Sequence, residues 1–291
     1  MRDQSPSLDE AAFAELRGWI GREEVVEDRI AALPAAAISG LFDHEAARPG
    51  DGAEVPPLGH WLYLQPIHRQ SELAEDGHPQ RGGFMPPVPL PRRMFAGARV
   101  AFHRPLRVGE RARRVGRVEG MTLKQGRTGP LLFVSVRQEL SAGGEVALVE
   151  EQDIVYRTLP SADEAPAPRQ EPPQGPDWSR PLLPDARMLF QYSALLYSAH
   201  RIHFDGDYTM GQEGYPGLVV QGQLTATALA DLARRETGRR LAAFSFKARR
   251  ALFADRPVTL AGRQEGERVQ LWASDDEGAL AMQAEATLAA D

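Results

Sequence analysis

Hydrophobic and polar positions follow two textures along the chain. From Ala98 to Arg157 they alternate through four runs, RVAFHRPLRVG, RARRVGRVEGMTLK, PLLFVSVRQEL and EVALVEEQDIVYR, parted by Gln-Gly-Arg-Thr-Gly and Ala-Gly-Gly. Alternation bounded by turn residues predicts antiparallel strands. The same texture returns in AAFSFKARRAL, RPVTLAGRQ, RVQLWAS and ALAMQAEATL. Helical spacing precedes each set. Residues 9–45 read as helix, with Leu16, Trp19 and Ile20 in register and a small-residue run from Pro34 to Phe42 suited to packing on a sheet. A helix over about 187–199 carries Met188, Leu189, Tyr192, Leu195, Leu196 and Ala199 as one apolar stripe. Another opens at Gly222 and carries Leu224, Ala228, Leu229 and Leu232.

The repeated order, helix and then strands, predicts an α+β fold in which one unit occurs twice. A long helix wrapped by an antiparallel sheet is the hot-dog arrangement, and two copies make a double hot dog. The first unit spans residues 1–157 and includes an irregular, Pro- and Gly-rich segment, 46–97, of the kind that covers functional sites. Residues 158–186 are proline-rich and aperiodic and read as a linker. Residues 187–291 form the second unit. A weak echo, FHRPLRVG from Phe102 against FKARRALFADRPV from Phe246, supports the duplication. The halves are expected to meet sheet edge to sheet edge.

Composition narrows the function. The 291 residues are 42% hydrophobic and 25% charged, enough for a core without staples. A net charge of −6 argues against nucleic acid or an anionic membrane as main partner. The absence of cysteine removes disulfides, thiolate nucleophiles and Cys metal sites, and suits the cytoplasm. MRDQSPSLDE lacks a signal-peptide pattern, and no apolar run approaches a membrane span.

Candidate chemistry concentrates between Tyr192 and Leu224. A polar break holds His200, His203 and Asp205, and Gly222 starts the next helix. An imidazole beside a helix N-terminus can polarise a carbonyl and move a proton next to it. Asp205 reads either as the group that orients the His203 ring or as a turn residue before Gly206. The two histidines and Asp205 also offer three N/O donors for a metal, but without a fourth ligand or a metal-binding helix pattern. Glu151 and Asp153 share one strand face, as spare carboxylates or as a solvated edge. Trp61, Tyr63 and Phe84 suit an acyl-chain cover or core packing.

The segments LRGWIGREEVVEDRI, PPVPLPRRMFAG, FHRPLRVGE, EEQDIVYR, HRIHFD and EGYPGLVVQGQL together resemble the MaoC-like hydratase/dehydratase family. The likeness is to the branch that holds mesaconyl-CoA (3-methylfumaryl-CoA) hydratase and hydroxyacyl-thioester dehydratase, and it covers nearly the whole chain. The family's catalytic His then falls on His203, its Asp position on Ser198 and its Asn position on His200. Gln221 stands where the family has His in Val-Val-His-Gly. The resemblance implies His203 as acid/base, the Gly222 amide as oxyanion donor, and Ser198, with no carboxylate, beside the water. It also implies His200, Arg201 and Gln221 at the substrate. Arg92 and Arg93, in a cluster with Arg99, Arg104 and Arg107, offer forks for the phosphates of CoA or for a substrate carboxylate.

The expected activity is reversible hydration of an enoyl-CoA, a hydro-lyase reaction, with a branched dicarboxylic substrate such as mesaconyl-CoA or itaconyl-CoA in view. CoA enters only as part of the substrate, with no metal or other cofactor. Two other classes stay open: a hot-dog thioesterase, and a non-catalytic acyl-CoA binder. The expected molecule is a cytoplasmic monomer or homodimer.

Overall fold

The computed structural model describes residues 8–45, 49–126, 129–159 and 169–290. Its strands are β1 (Glu23–Arg29), β2 (Arg92–Phe102), β3 (Arg111–Gly126), β4 (Gly129–Ala142), β5 (Glu145–Arg157), β6 (Trp178–Leu182), β7 (Leu241–Ala248), β8 (Val258–Glu265), β9 (Arg268–Ser274) and β10 (Leu280–Leu288). The α-helices are α1 (Glu10–Leu16), α2 (Ala32–Leu41), α3 (Ala186–Leu195), α4 (Gly206–Gly211) and α5 (Gly222–Thr237).

All ten strands join one antiparallel sheet in the order β1-β3-β4-β5-β2-β7-β10-β9-β8-β6. Read outward from the β2–β7 seam, both halves run in the same sequence, so the sheet is a duplicated unit joined edge to edge. At the seam Ala98 pairs with Phe246 and Val100 with Phe244, and all four are buried. The two-residue period shows directly on β4, where Leu132, Val134, Val136, Gln138 and Leu140 are buried and their neighbours are not. This is the double hot-dog fold.

The long helix of a hot-dog unit is α5. It buries Leu224 to Ala230, Leu232 and Ala233 against β7, β8, β9 and β10. Its alanines let helix and sheet approach closely. Gly238, at φ +66, ends it, and its N–H donates to Arg234 O.

Three expectations need correction. The first half has no long helix of its own. Matching backbone bridges, Glu54 to Arg107 and Val219 to Phe253, stand at the same place in each half, but only the second leads into a helix. After Glu54 come Pro56 and Pro57, which lack the N–H a helix interior needs. Leu58 then turns left-handed, at φ 62, into a short 3-10 turn, Gly59–Leu62. Next, residues 9–45 are not continuous helix: α1 runs into a 3-10 turn, Gly21 at φ +86 breaks the chain, and β1 follows. The charges of β1 read as a helix surface but pair across strands, Glu24 with Arg114 at 2.6 Å, Glu27 with Arg113 at 3.3 Å and Glu23 with Arg117 at 3.5 Å. Last, β6 lies inside the stretch read as linker and pairs with β8. Its Pro181 is tolerated because β6 is an edge strand. Residues 160–168 of that stretch lie outside the described residues. Among those described, no helix is long and apolar enough to cross a membrane.

Candidate active site

Asp185 caps α3 by accepting from Met188 N–H. The helix stops where Tyr197 adopts φ 50 and the Ser198 N–H donates back to Ser193 O at 2.9 Å. This reversal brings Ser198, His200, Ile202 and His203 onto the wall of a cavity of about 910 Å³ lined by both halves. His203 closes a 3-10 turn, Arg201–His203. Its Nδ1–H donates to Val219 O at 2.7 Å. A carbonyl can only accept, so Nδ1 holds the proton and Nε2 of the neutral ring has a free lone pair. Burial pushes the His203 pKa down to about 4, with the Val219 bond opposing and His78 adding to the effect.

Val219, Val220 and Gln221 lead straight into α5, whose first residue is Gly222. No side chain caps this end. A Cβ at Gly222 would meet nothing nearer than Phe95 O at 3.9 Å, so the protein leaves that space open beside the cavity. The first-turn N–H groups therefore present the positive end of the helix. Gln221 is buried. Its Nε2 donates to Leu189 O and Ser193 Oγ, both at 2.9 Å, which ties α3 to the start of α5. Its Oε1 has no partner among the described residues.

The irregular segment of the first half adds two residues that sequence reasoning missed. Asp76, Gly77 and His78 form a turn laid against the His200 loop. Arg201 N–H donates to Asp76 O at 2.9 Å. His78 Nδ1 lies 3.1 Å from Asp76 Oδ2, and His78 N–H donates to Asp76 Oδ1 at 2.9 Å. The His78 ring lies 3.9 Å from that of His200, which lies 5.1 Å from that of His203. Burial alone would raise the Asp76 pKa, but the hydrogen bonds and charge of His78 hold it at about 2. Burial and the Arg93 charge lower the pKa of His78 despite Asp76. Burial and neighbouring His78, His203 and Arg93 lower that of His200. The local signal was Asp-Gly-His, a turn tripeptide; nothing in it foretold His200 as neighbour.

Several sequence candidates stand elsewhere. Asp205 does not orient His203. It accepts from Tyr208 N–H, which caps α4, and from Arg201 at 2.7 Å, and these bonds lower its pKa. Arg201 is held by Asp205 and Glu75 O, and lies 4.1 Å over the Tyr208 ring, so it clamps the two loops together from outside the cavity wall. Arg92 also lines the cavity, but it is buried in an ion pair with Glu213 at 3.0 Å that takes up its Nε–Nη2 edge, and it stacks on Tyr215 at 4.4 Å. Arg99 joins Glu151 and Asp153 on an exposed face, Arg104 joins Glu110 and Arg107 joins Glu54. Arg93 is different: it is half-buried on the cavity wall and makes no ion pair among the described residues. Trp61 and Tyr63 are buried and Phe84 half-buried, all on the cavity wall. A second group escaped the sequence reading: buried Glu150 accepts from Trp61 Nε1 at 2.9 Å and lies 3.1 Å from His60 Nε2.

Asp76, His78 and His200 place one ligand atom each within 4.8 Å of one another, the one such group found among the described residues. Arg93 beside His78 opposes a cation at that point.

Comparison with known proteins gives a consistent result. The family described as Htd2, hydroxyacyl-thioester dehydratase type 2, matches residues 57–254. The chain is 46% identical over 271 residues to mesaconyl-C(4)-CoA hydratase of Chloroflexus aurantiacus, covering 93% of this chain and 97% of that one. It is 30% identical over 100 residues to the mitochondrial hydroxyacyl-thioester dehydratase type 2 of Schizosaccharomyces pombe, covering 33% and 32%. Among solved structures, a MaoC-like dehydratase superposes with a TM-score of 0.73 at 12% identity, covering 95% of this chain and 100% of that one. HtdX of Mycobacterium tuberculosis gives 0.64 at 16% identity, covering 91% and 99%. At these identities the structures speak for the fold alone.

Proposed function

The chain belongs to the hydroxyacyl-thioester dehydratase type 2 family, and we propose that it hydrates a short dicarboxylic enoyl-CoA of the mesaconyl kind. One observation carries the reading. His203 Nδ1–H bonds to Val219 O, so the extended segment that aims the imidazole also sets, three residues on, the open N-terminus of α5 at Gly222.

In that geometry the Gly222 N–H donates to the thioester carbonyl oxygen. Negative charge can then gather there while water adds to the β-carbon. His203 is neutral at pH 7, and its Nε2 takes the proton of the attacking water. Ser198 Oγ, on the same wall, both donates and accepts, and so can hold that water without acting as its base. The reaction needs no cofactor beyond the CoA of the substrate.

Arg93 supports the dicarboxylic substrate. It stands beside the imidazole cluster with no ion-pair partner among the described residues, whereas Arg81, the other unpaired cation there, donates to the Val88, Leu90 and Pro91 carbonyls. A terminal carboxylate would complete a charge-assisted pair there. Arg93→Gln is expected to raise KM for mesaconyl-CoA by about 10- to 100-fold, from the ~1.5–3 kcal/mol of a charged hydrogen bond. KM for crotonyl-CoA, which has no second carboxylate, stays unchanged.

The deciding experiment is a panel of enoyl-CoAs followed by loss of enoyl absorbance and by release of free thiol. Absorbance loss fastest with mesaconyl-CoA supports the proposal. Thiol release without hydration indicates a thioesterase instead, and binding without either signal a non-catalytic acyl-CoA binder. Equal rates on mono- and dicarboxylic substrates refute the role of Arg93.

A further inference from the structure

Hydration moves two protons. An O–H bond of water breaks as its oxygen bonds to the β-carbon, and the α-carbon takes up a proton. A histidine with a carboxylate nearby can divide this work, but here the nearby position is Ser198, whose hydroxyl is no acid or base near pH 7.

Resting on the hydratase reading, we propose that His78, backed by Asp76, is the second catalytic acid/base of the site. His203 Nε2 takes the proton that leaves water, and His78 gives the proton that the α-carbon receives. In dehydration the roles reverse, and between turnovers the two imidazoles re-equilibrate through solvent in the cavity. Atoms balance: one water is consumed, and no oxidant or co-reactant is needed.

The assignment of roles follows from what each Nδ1 touches. His203 faces a neutral carbonyl, Val219 O, at 2.7 Å, whose pull toward the imidazolium is outweighed by burial. His78 faces a carboxylate at 3.1 Å, and an ionised partner stabilises the protonated ring. The other charges around His78 come from both halves: Arg81 beyond the turn, Arg93 on β2, and His200 and His203 on the opposing loop. Burial disfavours the imidazolium most, and Arg93 adds to that while its guanidinium is free. A substrate carboxylate on Arg93 would offset the Arg93 part and set a second negative charge against the cost of burial, so an acyl group with an anionic end would favour the armed acid.

The pair is built, not incidental. Gly77 has φ +86, and a Cβ on it would lie 1.7 Å from Ala199 O, so only glycine lets the turn come this close. Arg201 holds the turn by its backbone N–H to Asp76 O, at 2.9 Å, and by its guanidinium to Glu75 O, at 3.3 Å. Asp76, His78, His200 and His203 all line one cavity.

The test uses the full chain with mesaconyl-CoA and compares wild type, His78→Gln and Asp76→Asn. Asp76→Asn keeps the backbone carbonyl that accepts from Arg201 N–H and one side-chain oxygen for His78 N–H, so the turn is preserved while the negative charge goes. His78→Gln is expected to lower kcat by about 100-fold or more with KM little changed, as loss of a positioned acid does. Asp76→Asn is expected to lower kcat by about 10-fold. It should also move the alkaline limb of the pH profile to lower pH, because the imidazolium loses its counter-charge and releases its proton sooner. A merely structural pair would not move that limb. An active wild type with an unmoved limb in Asp76→Asn, or with His78→Gln within about threefold of wild type in kcat, overturns this inference alone. A wild type inert on every enoyl-CoA overturns the hydratase reading and this inference together.

Discussion

Replacing Gly77 by alanine is the most local perturbation the structure offers. The added Cβ would lie 1.7 Å from Ala199 O and 2.6 Å from Ala199 C. Both are backbone atoms, so no side-chain rotation relieves the clash, and the two loops must part by more than about 1 Å to reach contact distance. A displacement of about 1 Å at a reacting group costs on the order of 100-fold in rate. The left-handed φ of +86 adds about 1–2 kcal/mol of strain for a residue with a Cβ, worth roughly 2–8 °C in Tm for a chain of this class. Gly77→Ala is therefore expected to melt a few degrees lower and to lose about two orders of magnitude in kcat, with the fold intact by circular dichroism. Enoyl absorbance and thermal melting on one preparation check it. Turnover within about threefold of wild type would refute the argument that this turn holds His78 and His200 in working register. A large loss of Tm with full activity per folded molecule would assign Gly77 to folding alone.

Two further outcomes follow from the same geometry. His203→Ala should lower kcat by about 100-fold or more while stability changes by only about 1 kcal/mol for one lost hydrogen bond. Its pH signature is set by a pKa held from 6.5 down to about 4. The unfolded chain binds a proton near pH 6.5 that folded His203 refuses, so this contribution to stability is full above 6.5, falls with acid and is gone below about 4; the melting curves of wild type and His203→Ala should converge over that window. Arg92→Ala leaves the nearly buried Glu213 without its partner and should cost about 3–5 kcal/mol. A loss under 1 kcal/mol by chemical denaturation would show that water reaches Glu213 freely.

What could be read in the sequence is what sits close together along it. His203, Ser198 and Gly222 share one short stretch in which a helix stop, a turn and a helix start are each written in local residues, so their shared wall of the cavity followed from spacing and resemblance. Arg92 and Arg93 are neighbours with the same side chain, and only Glu213, 121 positions on, makes one structural and leaves the other facing the cavity. Asp205 had the right distance from His203 in sequence but serves as a helix cap, a role that any Asp before Gly206 can play. Asp76 and His78 lie in a stretch with no period at all. Their place is set by one left-handed glycine and a backbone bond to Arg201, neither of which leaves a pattern of side chains. The misread strand β1 has the same origin: seven residues with five charges look solvated until Arg113, Arg114 and Arg117 are seen across the ladder.

A duplicated unit offers two equivalent places for a helix N-terminus to meet a cavity, and this chain uses them unequally. The second half keeps the sixteen-residue helix, and with it the open helix N-terminus at Gly222, beside the cavity that His203 also lines. At the matching place in the first half stand two prolines and a 3-10 turn, followed by a long irregular run that reaches across the β2–β7 seam. A helix there would be rigid, with every backbone group satisfied within itself and its side chains committed to the sheet beneath. An irregular run instead has backbone free to dock and side chains free to point away from its own sheet. The Asp76 carbonyl docks on Arg201 of the other half, and His78 reaches the cavity beside His200. The absence of a long helix in the first half is thus the condition for a cavity assembled from both halves, in which one supplies the N-terminus of α5 with His200 and His203 and the other brings Asp76 and His78 beside them.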